Sequence, residues 1–505
     1  MVMPEEPLIV ETSVGAVSGI RIDGVRSWRG IPYGAALRWE APRKAVWSGV
    51  WDGSEYGAVA PQTTYGWGDK VVGDEACLNL DIVRPDSDAT LPVVLYFHGG
   101  GFFSGASHTA VLRGYNFAKE IDCVYVGVNF RLGTLGYVDL TSLGLENTAS
   151  WEPNPALSDQ IAALRWVRRE IAAFGGDPLR VTLMGESAGG AAIAALMSSP
   201  ISQGLYDRVI MQSAPVMGVH SASQSRVWAR KLVEYCGLVP RTVTAQELRG
   251  LPVADVVRAG QQMLWRGGGL KELNPCFGTA IGGRLIPRHP LDQFEDGSQA
   301  GVPMLIGTNN DELSAAQLLY FSKVSRADAA RRMLRAHDPE GFEYIESAYG
   351  DLGKRSNLAQ LLADAVFWAQ SVRLAELHSR SGKDVWMYRY DYAPALLRRL
   401  GIGAMHSMEL SAIFGDSGAS KAKLLLGQEQ NILTEQMQQA WGRFIWGEDP
   451  GWEKYKVPSR ATRIMERESF TQNDPRSEIR QAWESFRMHG WDGDENTIAR
   501  PRPGR

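Results

Sequence analysis

The sequence predicts an α/β protein built on a mostly parallel central sheet, flanked by helices and carrying large helical insertions. Three observations predict it. Short, continuously apolar, β-branched runs recur at 92–97, 124–129 and 181–184, the pattern of strands buried on both faces. A helix with regular apolar spacing lies between the second and third runs. A second apolar segment, 188–197, follows the third. Strand, helix, strand, helix is the order a parallel sheet requires, because each crossover must return along a face of the sheet.

Taken in order, the first third of the chain reads as strands and turns. The run Pro92 to Phe97 is a buried strand, and Val124 to Asn129 is a second. Ser158 or Asp159 can cap the helix that follows. Ile161, Leu164, Val167 and Ile171 fall at helical spacing, and Gly175-Gly176 with Pro178 stops the helix. Val181 to Met184 is the third strand. Pro303 to Gly307 and Val385 to Tyr390 add two more. Residues 225–265 and 315–380 read as mostly helical insertions over one end of the sheet. Repeats and Pro- or Ser-rich linkers are absent, so the expectation is one domain over 1–490, with 491–505 a flexible tail.

Composition narrows the function classes. Apolar residues make up 44% and charged residues 22% of 505, ordinary for a globular chain, which excludes wholesale disorder, collagen and coiled coil. The net charge of −4 lacks the basic excess of a nucleic-acid binder. The cysteines, at 77, 123, 236 and 276, are too few and too scattered for a disulfide scaffold, and no CxxC pair suggests zinc. Residues 1–17 lack the basic and long apolar regions of a signal peptide, and no apolar run approaches a membrane span. The expectation is a soluble, cytoplasmic protein with no nucleic-acid or membrane partner.

Two segments carry chemistry. Gly185-Glu186-Ser187-Ala188-Gly189 sits between the strand ending at Met184 and the apolar run 188–197. Gly-x-Ser-x-Gly between strand and helix is a nucleophile elbow: a tight turn with small neighbours at ±2, its serine exposed at a helix N-terminus. There the Ala188 N–H faces any developing negative charge. His98-Gly99-Gly100-Gly101-Phe102 directly follows the strand 92–97. Consecutive glycines let backbone N–H groups approach a ligand closely, and the run matches an oxyanion-hole loop, with Gly100 and Gly101 as donors. A phosphate cradle fits less well, since no Gly-Lys-Ser/Thr follows. A serine nucleophile needs a base and an orienting carboxylate, in the chain order Ser, acid, His. Four histidines lie beyond residue 300, His337, His378, His406 and His489, and the residues alone do not choose among them.

Over most of its length the chain resembles the type B carboxylesterases, the family of cholinesterases and bacterial para-nitrobenzyl esterases. The likeness runs through Arg29 to Gly34, Glu75 to Leu80, His98 to Phe102 and Asn129 to Gly133. It continues through Asp159-Gln160, Phe174 to Pro178, Gly185 to Gly189 and Gln212-Ser213. The family's acid segment, Gly-x-x-x-Asp-Glu-Gly, is matched by Gly307 to Glu312, which implies Glu312 as the triad acid. Its His-x-x-Glu…Phe-Gly segment is matched by His406 to Glu409 with Phe414-Gly415, which implies His406 as the base.

The same resemblance implies Ser187 as nucleophile, Glu186 as a buried acid near His406, and Ser213 as a serine beside the triad. Asp311 reads as structural. Leu313 departs from the usual glycine after the acid, so a different turn is expected there. Ala60 replaces the cysteine that pairs with Cys77 in many members, so Cys77 is expected to be a free thiol, as in a reducing compartment. Trp67 lies where cholinesterases hold choline, and reads here as packing or a pocket wall.

The expected activity is hydrolysis of small, mostly uncharged carboxylic esters through an acyl-enzyme, with neither metal nor cofactor. The partner is a small-molecule ester, and the oligomeric state is left open. Alternatives are an amidase, carbamate or lactone hydrolase with the same triad, or a non-catalytic binding member of the scaffold.

Overall fold

The structure, a computed structural model, describes residues 8–64, 68–216, 218–266, 275–314, 331–415 (without 333 and 336) and 429–487. Its frame is a sheet with thirteen strands among the described residues: β1 (Leu8–Thr12), β2 (Gly15–Ile22), β3 (Val25–Pro32), β4 (Val50–Asp52), β5 (Asn79–Pro85), β6 (Leu91–Phe97), β7 (Val124–Val128), β8 (Gly176–Glu186), β9 (Arg208–Gln212), β10 (Met304–Asn309), β11 (Val385–Tyr390), β12 (Ala461–Met465) and β13 (Phe470–Asn473). Their order is β1-β2-β3-β5-β7-β6-β8-β9-β10-β11-β12-β13, with β4 beside β2. The block from β7 to β12 is parallel throughout. The N-terminal strands β1, β2, β3 and β5 pair antiparallel, β1 to β3 as consecutive hairpins and β3 with β5 across the long segment 33–78.

Strand β6 shows why the apolar runs are continuous. Val93, Leu95 and Phe97 enter one core, with Ile161, Leu164 and Val167 of the helix Pro155–Glu170 and with Ile193 and Leu196 of the helix Ala188–Met197. Val94 and Tyr96 enter the other, with Phe117 of Tyr115–Ile121, Phe414 of Glu409–Phe414 and Trp441 of Glu429–Trp446. Both faces are dry, so the strand has no polar side to alternate with.

Two boundaries differ from the sequence reading. The helix expected from Ser158 or Asp159 begins one turn earlier, at Pro155, with Asn154 at its N-cap. Proline suits the first helical turn because its missing N–H is not needed there. Asp159 is instead committed to a buried pair with Arg131, Oδ1 to Nη2 at 2.6 Å. The third run is also longer. Gly176 already pairs with Leu91, and an irregular stretch before Val181 accommodates Pro178.

The insertion read as 225–265 contains the helices Ala222–Tyr235, Ala245–Gly250 and Val253–Arg266. The later insertion contains Pro339–Tyr349, Arg355–Ala363 and Ala369–Arg380. The tail 491–505 and Trp67 lie outside the described residues. All four cysteines are free thiols, and Cys77 is buried. No helix among the described residues is long and apolar enough to cross a membrane.

Candidate active site

Four loops that follow parallel strands at their carboxyl ends meet, the place where open α/β sheets form their sites. The first follows β8. Ser187 turns there with φ 54° and ψ −123° and opens the helix Ala188–Met197. The bend is tight enough to exclude side chains on either side of it. A Cβ on Gly185 would come within 2.7 Å of Gly189, and one on Gly189 within 1.9 Å of the Phe97 carbonyl. The strained turn is held from outside: Ser187 N–H donates to the Gln212 carbonyl at 2.8 Å, across the β8–β9 junction. Ser187 is mostly buried, 8% exposed.

The glycine loop lies beside it, after β6. Gly100 has φ 113°, and a Cβ there would strike the Ser104 carbonyl at 2.0 Å, so only glycine closes this turn. The Gly100 carbonyl is used inside the loop, accepting from the N–H groups of Phe103 and Ser104, each at 3.1 Å. The N–H groups of Gly100, Gly101 and Ala188 have no acceptor among the described residues. They are available to a ligand oxygen.

The other two loops bring in a carboxylate and an imidazole. Glu312, beyond β10, is buried, and its Oε2 lies 2.6 Å from His406 Nδ1. Its Oε1 accepts from Ser213 Oγ at 2.5 Å and from Asn309 N–H at 2.8 Å. All of this orients the carboxylate before any substrate arrives. The loops are also tied by backbone: His406 N–H donates to the Glu312 carbonyl at 3.1 Å. Phe367 packs its ring 4.6 Å from the imidazole. It stands on a π-helical turn, Asp364–Trp368, a rare geometry that is frequent at functional sites. Arg476 holds that turn, bonded to the Asp364 carboxylate and stacked over the Trp368 ring at 4.5 Å.

The far nitrogen, His406 Nε2, faces Glu186 Oε1 at 3.3 Å. No hydrogen bond joins it to Ser187 Oγ among the described residues. A third glutamate, Glu409, is buried behind, accepting from Asn309 Nδ2 at 2.6 Å and Gln212 Nε2 at 3.3 Å. Three carboxylates thus surround one imidazole. Burial lowers the His406 pKa, but the charges of Glu186 and Glu312 and the Glu312 hydrogen bond outweigh it and hold it at about 10. Burial raises Glu186, and raises Glu409 to about 8 with help from the neighbouring carboxylates.

Of the other late histidines, His378 is fully buried between Gln299 and the Val302 carbonyl. His337 lies against the Arg487 carbonyl, and His489 is outside the described residues. Asp311 accepts from Ala404 N–H at 3.0 Å, which fastens the two loops together. Leu313 packs against the core and does not take a positive φ, so the turn at 310–314 has no need of glycine there. Sequence reasoning gave no role to Ser407 or Phe367. Ser407 adjoins His406 and was visible as a neighbour. Phe367 reaches the site through a π turn that leaves no pattern in the sequence. Among the described residues, no group of three or more His, Cys, Asp or Glu side chains is placed to hold a metal ion.

Residues 6–483 match the model of the carboxylesterase family. The chain is 32% identical over 497 residues to a para-nitrobenzyl esterase of Bacillus subtilis (strain 168), covering 94% of this chain and 98% of that protein. It is 30% identical over 464 residues to a phenmedipham hydrolase of Pseudarthrobacter oxydans, covering 88% of this chain and 90% of the relative. Among solved structures, a thermophilic PNB esterase superposes with a TM-score of 0.84 at 30% identity, over 95% of this chain and all of that one.

Proposed function

This chain belongs to the carboxylesterase family, has the α/β-hydrolase fold and is a carboxylic ester hydrolase, and from that premise we propose that Ser187, His406 and Glu312 are its catalytic triad. The observation that carries the reading is the oriented pair beyond the elbow: Glu312 Oε2 on His406 Nδ1 at 2.6 Å, with the other carboxylate oxygen already occupied by two donors. A carboxylate so fixed selects the imidazole tautomer whose Nε2 accepts a proton.

In the reactive form His406 is neutral, with Nε2 free of its proton; it turns from Glu186 and takes the Ser187 proton as Oγ attacks the ester carbonyl. The Glu312 bond at Nδ1 persists through this change and stabilises the imidazolium. The N–H groups of Gly100, Gly101 and Ala188 receive the oxyanion. His406 then protonates the leaving alcohol, and water cleaves the acyl-enzyme by the same route in reverse. A serine route of this kind uses neither metal nor cofactor. Glu186 and Ser213 act behind the triad, on His406 and Glu312.

The preferred substrates are small, mostly uncharged esters. Phe103, Leu132, Leu264 and Phe277 line a mostly apolar cleft beside the glycine loop, with Thr63, Thr134 and Gln261 as its polar part and, among the described residues, no charged side chain, which favours alkyl and aryl groups over charged ones. The chain works as one domain, in the cytoplasm; four free thiols support a reducing compartment. A phosphonylating or sulfonylating reagent tests the nucleophile. Intact-mass spectrometry should find one adduct, absent in Ser187→Ala, and an adduct that persists in the variant overturns the assignment. Matched esters, anilides and carbamates of increasing size separate ester preference from its amide and carbamate alternatives.

A further inference from the structure

Three serines around the imidazole adopt positive φ: Ser187 at 54°, Ser213 at 46° and Ser407 at 66°. Such conformations are uncommon outside glycine and cluster where function requires them. The first turns the elbow and the second reaches Glu312. The third has no part in the steps above. Ser407 Oγ donates to Glu186 Oε1 at 2.5 Å, the same oxygen that faces His406 Nε2 at 3.3 Å.

Glu186 is deeply buried, its side chain 4% exposed. Apart from the imidazole, Ser407 is the one hydrogen-bond donor to its carboxylate among the described residues. On the other side Oε2 lies so close to Gly99 that a Cβ there would come within 2.4 Å. The carboxylate is therefore wedged between the glycine loop and the histidine loop, aimed at Nε2.

We propose that Ser407 is a positioning residue, whose hydroxyl keeps Glu186 ionised beside Nε2 so that the imidazolium formed during acyl transfer has a carboxylate at each ring nitrogen. A buried carboxylate without a donor tends to take up a proton, and a neutral Glu186 leaves the imidazolium with Glu312 alone. The short O–H to carboxylate contact is the charge-assisted kind. The charged and titratable groups facing His406 are Glu186 from the elbow, Glu312 from the loop after β10 and Glu409 from the helix Glu409–Phe414 that follows the histidine turn. The buried Tyr96 and Tyr388 lie close enough to interact with these carboxylates. No cation among these groups offsets them.

The inference rests on His406 being the base, and the experiment separates the two. The pH dependence of kcat/KM is measured for wild type, Ser407→Ala, Ser407→Gly, Glu186→Gln and the Glu186→Gln/Ser407→Ala double variant. Both Ser407 variants should lower kcat roughly tenfold, the scale of one hydrogen bond to a charge. Both should also move the acidic limb to lower pH, because His406 loses its protonation more easily. Their melting temperatures should split: glycine relieves the positive φ and alanine does not. A limb shift common to both therefore reports charge rather than damage. Glu186→Gln should move the limb the same way, and adding Ser407→Ala to it should move it no further. A limb unmoved in either Ser407 variant, or a further shift in the double variant, overturns the inference. His406→Ala retaining activity overturns the base assignment instead.

Discussion

Arg131 with Asp159, and His406 with its glutamates, are both buried charge sites, but they are built differently. Arg131 and Asp159 are one cation and one anion, joined through two side-chain hydrogen bonds at 2.6 and 2.8 Å. The rest of the guanidinium donates to the carbonyls of Leu37 and Pro155. Charge and hydrogen bonding are balanced within the pair. Around His406, three buried glutamates face a single imidazole. Burial raises Glu186 and Glu409, and the carboxylates in turn raise His406 to about 10, so protons are shared across the cluster rather than charge being balanced within one pair. A site that only supports the fold balances itself; on the mechanism proposed above, the site around His406 is balanced by protons of the kind that acyl transfer moves.

The sharpest way to break this comparison is to remove its reacting groups. Ser187→Ala or His406→Ala should each lower kcat by roughly 10⁶-fold, the scale seen when a serine nucleophile or its base is deleted. Circular dichroism should stay native. Glu312→Gln should cost up to about 10⁴-fold, since it permits the wrong tautomer, while Asp311→Asn should stay within a few fold. If Asp311→Asn is the crippled variant, the acid has been placed one residue out.

The balanced site should respond in stability instead. Arg131→Met strands a buried carboxylate and should cost about 3–5 kcal/mol in denaturant unfolding. The folded fraction should keep the wild-type pH profile. A moved acidic limb in this variant would mean that the two sites are coupled.

A smaller effect lies in alkaline stability. His406 is held at about 10, above its ordinary 6.5, so its contribution is complete below pH ~6.5 and lost as pH rises through 10. Glu409, held at about 8 from 4.5, likewise favours the fold while protonated and loses that as pH rises through 8. Both slopes run the same way. Unfolding free energy should fall between pH 7 and 10, and Glu409→Gln should flatten part of that fall. The smallest expected effect is none: mild reductant should leave the melting temperature unchanged, because Cys77, Cys123, Cys236 and Cys276 are free.

What the sequence disclosed follows the range of the forces involved. The elbow at 185–189 and the glycines at 99–101 were legible because each is a local turn whose geometry demands its residue types. The buried strands were legible because two dry faces leave a continuous apolar run. Glu312 and His406 lie 125 and 219 residues beyond Ser187; the residues alone left four histidines open, and the family resemblance chose among them. The start of the helix at Pro155 was missed because Asp159 answers to Arg131, a contact across 28 residues. The φ of Ser407 and the π turn beneath Phe367 depend on packing from distant segments, and no local pattern encodes them.

The way the loops are joined bears on how the enzyme matures. Ser187 is braced by Gln212, 25 residues on, yet its proposed base and acid meet only after β10 has docked on β9 and β11 on β10. Arg476, which clamps the π turn under His406, arrives later still. On the proposed assignment, a chain leaving the ribosome therefore presents its nucleophile long before anything can activate it. Such long-range pairings also close slowly, since the entropy of the intervening chain must be lost first. Turnover then serves as a gauge of completed folding: partly folded or truncated chains can carry the serine and remain silent towards esters.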